Sequence, residues 1–115
     1  MRVLELKVGN WIKDGIAIEK ITIDHLYCLN SGRCEYDPIQ LTEEWLLKFG
    51  FVKYKYGHNT YRQKSFIIEE GLLNYEFRKR ISKEDSLGLA YVKYVHQLQN
   101  LYFALTGEEL TFKSE

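Results

Sequence analysis

The segment Thr60–Arg80, TYRQKSFIIEEGLLNYEFRKR, is the most informative part of this chain about its architecture. It contains two runs in which apolar and polar residues alternate, Thr60–Glu69 and Leu72–Arg80, with a turn near Glu70 and Gly71 between them. Such alternation is typical of a strand with one buried face. In the second run that face carries Leu73, Tyr75 and Phe77. The spacing predicts neighbouring antiparallel strands.

The flanking sequence extends this pattern into an antiparallel meander over residues 51–94. Phe51–Tyr56 alternates in the same way and is followed by a turn at Gly57, His58 and Asn59. Leu87–Tyr94 is predicted as the last strand, after a polar loop. The centre of the chain is therefore expected to be one antiparallel sheet.

A helix is predicted on each side of the meander. Within residues 39–50, Thr42 is a preferred N-cap, and Glu43 and Glu44 follow it where the helix dipole favours carboxylates. This helix should bury Trp45, Leu46 and Phe49. The second helix covers residues 95–107, where the apolar spacing from Val95 stops at Gly107.

Residues 1–38 are predicted to form a small sheet of short strands. Asp14 and Gly15 are a hairpin signal, and the apolar phase changes along Ile16–Ile23, which predicts a bulge near Glu19 and Lys20. Asp24–Leu29 and Arg33–Tyr36 are interpreted as a further hairpin. Short strands with tight turns and a bulge indicate a partly open SH3-like barrel.

The fold class expected from these elements is α+β in a single compact domain, residues 1–115. The N-terminal barrel is followed by a short helix, the antiparallel meander and a C-terminal helix packed on sheet. At 115 residues the chain has the length of one domain and can bury a substantial core.

Composition and charge exclude several classes of protein. Sixteen basic and sixteen acidic side chains give zero net charge, so no overall field attracts the chain to nucleic acid or membrane. No apolar run reaches the roughly 20 residues of a spanning helix, and the first residues lack a secretory signal. We therefore expect a cytoplasmic protein in which Cys28 and Cys34 are free thiols.

Catalytic and metal-binding motifs are not found in the sequence. It has no phosphate-binding loop, zinc-protease helix or nucleophile elbow, and its paired carboxylates are sequence neighbours whose side chains diverge. His25, Cys28 and Cys34 lack the paired short spacings of a structural zinc site. We expect a protein that is not an enzyme and has no cofactor or metal.

Two long segments resemble a known family. Asp37–Phe51, which contains LTEEWLLKFGF, and Tyr94–Leu110, YVHQLQNLYFALTGEEL, are similar to small prophage and mobile-element proteins of gut anaerobes, and Val8–Ile12 is a shorter match. The similar segments cover roughly a third of the chain. The resemblance implies an intracellular bacterial or phage accessory protein and assigns no activity, ligand or catalytic residue.

The middle of the chain is basic and suggests one candidate function. Residues 51–83 hold eight basic and three acidic side chains, interleaved with aromatic residues as in sheets that bind single strands. Strand alternation turns the lysines away from the tyrosines, so a solvated outer face is the plainer interpretation. The candidate nucleic-acid-binding residues are Lys53, Lys55, Arg62, Lys64, Arg78 and Arg80.

The C-terminal helix suggests the other candidate function, protein binding. One arc is apolar and is expected to form core: Val95, Leu98, Leu101, Tyr102 and Leu105. The opposite arc has no charged residue, which is typical of an interface. Its candidate partner-binding residues are His96, Gln97, Gln99, Asn100 and Phe103.

Two coverings of that uncharged arc remain open. A protein partner or a homodimer would bury Phe103, whereas the Phe112 tail or the N-terminal sheet of the same chain would also explain the missing charges. We expect a non-enzymatic interaction protein of phage or mobile-element origin that acts through a protein partner or self-association. The alternative is a nucleic-acid-binding protein that uses the basic hairpin.

Overall fold

A computed structural model describes residues 6–14, 17–31, 36–53, 60–72, 74–82 and 85–112. The strands are β1 (Trp11–Asp14), β2 (Ala17–Lys20), β3 (Val52–Lys53), β4 (Thr60–Gln63), β5 (Phe66–Glu70), β6 (Tyr75–Arg80) and β7 (Ser86–Val92). The helices are α1 (Ile23–Asn30), α2 (Glu43–Lys48) and α3 (Val95–Thr106). The α+β class is confirmed.

These elements belong to two compact units. Unit 1 comprises the chain up to Gln40 together with Tyr94–Leu110, and unit 2 comprises Leu41–Lys93 and the residues after Leu110. The prediction of a single domain stays a prediction. Among the described residues, no helix combines the length and apolar character needed to cross a membrane.

Unit 1 is built on the predicted β1–β2 hairpin, which is confirmed. The strands are antiparallel, with Asp14 opposite Ala17 and Ile12 opposite Glu19. Ile12 is fully buried and packs in a core with Leu6 and Ile21. Backbone bonds from Gly9 and to Asn10 hold Ile21 beside the start of β1.

The bulge predicted near Glu19 and Lys20 is wrong. The β1–β2 register is regular to its last pair, Trp11 and Lys20. The apolar phase changes because β2 ends there, so Ile21 turns into the core while Ile18 is half exposed. A strand end and a bulge give the same sequence pattern.

The strand predicted over Asp24–Leu29 is also wrong, because Ile23–Asn30 forms α1. Thr22 and His25 begin this helix: the Thr22 N–H donates to His25 Nδ1 at 2.9 Å, and the His25 N–H donates to Thr22 Oγ1 at 3.4 Å. The SH3-like barrel is not confirmed. In the described part of the chain, no sheet closes into a barrel.

Unit 2 contains the predicted antiparallel meander, a sheet of order β3-β4-β5-β6-β7. Tyr61, Ile68 and Phe77 form one buried row across its centre. Helix α2 is confirmed, and it buries Trp45 and Leu46. The Trp45, Phe49 and Phe112 rings lie 5.4–5.8 Å apart between centroids.

The run Thr60–Glu69, predicted as one strand, is split into β4 and β5. Lys64 turns the chain with a φ of 55°, a left-handed conformation that sequence patterns usually assign to glycine. The turn predicted at residues 57–59 lies outside the described residues. A bulge lies between β6 and β7, where Phe77 pairs with Ala90 and Arg78 pairs with Gly88.

Helix α3 is confirmed, and Gly107 ends it with a φ of 74° as its N–H donates to the Phe103 carbonyl. The predicted core arc is only partly right. Val95, Leu98 and Tyr102 are buried, but Leu105 is exposed and two polar residues of the opposite arc are buried instead. Those two residues are His96 and Gln99.

Candidate functional site

Strand β7 forms one edge of the sheet in unit 2. Its seven residues, SLGLAYV, contain no charge and no proline, and they pair with β6 on one side. Among the described residues, Ser86–Val92 makes no backbone–backbone hydrogen bond outside that ladder. An uncharged edge with unpaired N–H and C=O groups is a template for a further strand. We name the unpaired side of Ser86–Val92 the β7 edge.

The bulge sets the direction of the side chains along the β7 edge. Leu89 is the extra residue, so Leu87 lies opposite Lys79 and Tyr91 lies opposite Glu76, on the other face of the sheet. Leu87 is 55% exposed and Tyr91 is 68% exposed. The edge therefore presents one large apolar side chain on each face.

A cavity of about 190 Å³ lies beside Tyr91. Thr60, Glu69, Glu76 and Tyr91 form one cross-strand row, which places two carboxylates directly opposite each other. The cavity is lined by Glu69, Glu70, Gly71, Asn74, Glu76 and Tyr91. Three of its six lining residues are acidic.

Only one of these carboxylates is neutralised by a described residue. Glu76 forms an ion pair with Arg78, whose Nε donates to Ser86 Oγ at 2.8 Å. Gly88 leaves room for the pair, since a Cβ there would lie 3.1 Å from Glu76 Oε2. Within the described ranges, neither Glu69 nor Glu70 forms an ion pair, so the cavity is negative.

One of these carboxylates, Glu70, and the carboxylate of Glu43 in α2 influence two tyrosines on the buried face of the sheet. Burial raises the pKa of Tyr75, and the negative charges of Glu70 and Glu43 raise it further. Burial likewise raises the pKa of Tyr61, whose hydroxyl also donates a hydrogen bond to Glu43. Both phenols therefore remain neutral well into alkaline pH.

The structure does not gather the candidate nucleic-acid-binding residues into one patch. Arg62, Arg78 and Arg80 alternate onto the outer face of the sheet, but Arg78 is paired with Glu76 there. Lys53 lies opposite Tyr61 in the strand register, on the buried face of the sheet. Its Nζ forms an ion pair with Glu43 Oε1 at 3.2 Å. Lys64 occupies the β4–β5 turn, and Lys55 lies outside the described residues.

The candidate partner-binding residues of α3 are largely occupied within unit 1. Gln99 is buried, accepts from the Trp11 N–H at 2.8 Å and donates to the Gly9 carbonyl at 3.0 Å. Asn100 accepts from the buried Asn10 amide at 2.9 Å. The N-terminal segment of the same chain thus covers this part of the arc.

The remaining members of the arc have other positions. His96 is buried and stacks on Tyr94, and Gln97 accepts from the Tyr94 N–H at the start of the helix. Phe103 is 41% exposed, with Lys7 Nζ 4.5 Å from its ring centroid. Lys7 also pairs with Glu109 at 2.7 Å. Of the five residues, Phe103 is the exposed one.

The free-thiol prediction is wrong for Cys28, which is disulfide-bonded. Cys34, the other cysteine of the chain, lies outside the described residues. The prediction relied on the expectation of a reducing compartment, in which cysteines remain thiols. His25 has a structural role in starting α1.

Sequence reasoning missed the β7 edge and the acidic row. The uncharged run Ser86–Val92 was visible, but strand order alone decides which strand lies at an edge. Glu69 and Glu76 become neighbours only through the β5–β6 register.

Comparison of the chain with protein-family models, curated proteins and solved structures finds no match.

Proposed function

We propose that this chain is a non-enzymatic binding protein that takes up a strand of a protein partner along the β7 edge. The observation that carries the proposal is the uncharged, seven-residue edge strand whose outer backbone groups form no ladder with a described residue. A bound strand would satisfy those groups, and its side chains would contact Leu87 on one face and Tyr91 on the other.

A protein partner fits this surface better than nucleic acid does. The outer face of the sheet carries Glu69 and Glu76 in the row beside Arg62 and Arg78, so phosphates would meet carboxylates as well as guanidinium groups. Self-association through β7 of a second copy is the other form that strand addition can take. The resemblance to prophage and mobile-element proteins supports an accessory role in such an element.

Selection from a displayed library of random ten-residue peptides tests the proposal. Peptides that bind the chain should slow amide hydrogen exchange in Ser86–Val92, because strand addition protects the backbone of the edge. Leu87→Lys should weaken them by about ten-fold or more, since lysine on an edge disfavours pairing. Val52→Lys is the matched control: it places the same charge on an exposed residue of β3, at the opposite edge.

Three results would contradict the proposal. The first is that selected peptides leave exchange in β7 unchanged, and the second is that Val52→Lys weakens them as much as Leu87→Lys. The third is salt-dependent binding of a single-stranded oligonucleotide that requires Arg62, which would favour the nucleic-acid alternative. Light scattering after gel filtration measures the mass of the chain in solution and so shows whether a second copy is bound.

A cytoplasmic location is part of the same proposal. Fractionation of native cells, with the chain detected by an antibody in each fraction, tests it. Recovery of the chain outside the cytoplasmic fraction would contradict this location.

A further inference from the structure

Tyr91 is an exposed ring at the β7 edge that no cation among the described residues covers. Three other rings, those of Trp11, Trp45 and Phe103, each have a lysine of the chain 4.5–5.6 Å from the centroid. In the described part of the chain no such contact exists for Tyr91. Its exposed face can therefore accept a cation supplied by a bound molecule.

None of the described residues that line the cavity next to this ring is basic. Glu69 and Glu76 oppose each other across β5 and β6, an arrangement of like charges that destabilises a sheet unless a cation lies between them. Arg78 neutralises Glu76, and Glu69 and Glu70 have no ion pair with a described residue. A positively charged side chain entering the cavity would remove this repulsion.

The strand register connects the β7 edge to this cavity. Tyr91 lies opposite Glu76, and Glu76 lies opposite Glu69, so all three belong to one row across the outer face. A residue on an added strand opposite Tyr91 would extend that row, about 10 Å from β6 at two strand spacings. A long side chain at that position can lie along the Tyr91 ring and point its end toward the carboxylates.

We infer that the strand bound at the β7 edge is a basic peptide, with a Lys or Arg whose cation lies over Tyr91 and enters the cavity of Glu69, Glu70 and Glu76. This inference rests on the proposed function. A second copy of the chain does not fit, because Ser86–Val92 contains no basic residue to offer to the cavity. Charge complementarity therefore selects a basic partner over self-pairing.

Fluorescence anisotropy with designed peptides tests this inference. The probe is a labelled nine-residue peptide of alternating threonine and valine with arginine at its centre, compared with the same peptide carrying norleucine or glutamate there. The arginine peptide should bind about ten-fold more tightly than the norleucine peptide, from the combined ion pair and ring contact. The glutamate peptide should bind most weakly.

Variants of the chain locate the effect. Glu69→Gln with Glu70→Gln should remove most of the preference for arginine and leave the norleucine peptide unchanged, and Tyr91→Leu should reduce that preference. Glu44→Gln with Glu108→Gln is the matched control, because it removes the same charge from exposed residues that do not line the cavity. Circular dichroism verifies that each variant is folded.

The possible results separate this inference from the proposed function. Equal binding of the arginine and norleucine peptides, with exchange in β7 slowed by both, overturns the basic partner and leaves strand addition standing. If the control variant also loses the preference for arginine, the cavity is not the origin of that preference, and the inference is overturned. Self-association that slows exchange in β7 overturns the inference in favour of a second copy, and no slowing of β7 exchange by any peptide overturns both proposals.

Discussion

Gln99 joins two parts of unit 1 that lie far apart in sequence. Its amide bonds to Trp11 and Gly9, 88 and 90 residues away, and both backbone groups depend on that one side chain. Gln99→Leu keeps the approximate size but leaves a donor and an acceptor without partners. We expect a loss of about 2–4 kcal/mol in the free energy of unfolding, measured in urea.

The matched control for this variant is Ala104→Leu, an exposed position on the same helix, where the change should stay within about 0.5 kcal/mol. A Gln99→Leu protein as stable as the control would show that these two hydrogen bonds contribute little. Helical periodicity assigned Gln99 to the arc opposite Leu98 and Tyr102, although all three side chains are buried. It could not show which element covers that arc, because an uncharged helix face suits an internal contact and a partner equally well.

Tyr61 and Tyr75 give unit 2 a dependence on alkaline pH. Burial raises the pKa of both phenols above the ordinary value of about 10, and Glu43 and Glu70 raise them further. Above pH 10 the unfolded chain therefore releases these protons while the folded chain retains them. The stabilisation is complete below about pH 10 and is lost as the pH rises through the folded pKa values.

Tyr61→Phe tests this linkage by thermal unfolding across about pH 8–11. The variant should begin with a lower melting temperature, since it loses the hydrogen bond to Glu43, and then decline less steeply with pH than the parent chain. Tyr27→Phe, which alters an exposed tyrosine of unit 1, is the control. Parallel declines in all three proteins would contradict the assignment to Tyr61.

Among the elements, α3 depends on its C-terminal glycine. Gly107 has a φ of 74°, and a Cβ built there meets no atom within 4 Å, so only backbone conformation opposes a side chain. Gly107→Ala should cost about 1–2 kcal/mol in urea unfolding. Gly107→Asn should cost less, because asparagine tolerates the left-handed region; an equal cost for the two variants would point to a cause other than φ.

The elements that the sequence predicted correctly are those with several consistent signals. For α2, the N-cap position at Thr42, the two glutamates and the apolar face all agree, and the structure has the helix at Glu43–Lys48. For α1, the turn signal at Asn30, Ser31 and Gly32 favoured a hairpin strand, whereas the Thr22–His25 bonds that begin the helix were not recognised. Local capping outweighed a weak strand preference in a short segment.

At the scale of the whole molecule, the single-domain prediction can be tested by cooperativity. Ile12→Ala removes a buried side chain from the core of unit 1, and Trp45→Ala removes one from unit 2. Core deletions of this kind cost about 2–5 kcal/mol. If the chain is one domain, each variant should lower the midpoint of one shared transition, followed by near-ultraviolet circular dichroism and by hydrogen exchange in both units.

Separate transitions, with Ile12→Ala lowering one and Trp45→Ala lowering the other, would contradict a single domain. Sequence composition cannot decide this question, because no linker rich in glycine, proline or serine marks a boundary in either case. The division into units becomes visible only once residues 94–110 are known to pack with the N-terminal segment.

The interleaving of the two units has a consequence for biosynthesis. Trp11 and Gly9 leave the ribosome early, but Gln99, which binds both, is translated after the entire meander. Unit 2 likewise receives the Phe112 ring, which packs on Trp45, only near the last residues. At about 5–20 residues per second, the N-terminal hairpin remains incomplete for several seconds while its partner helix is made. A nascent-chain holdase is therefore expected to engage residues near Trp11 until α3 has emerged.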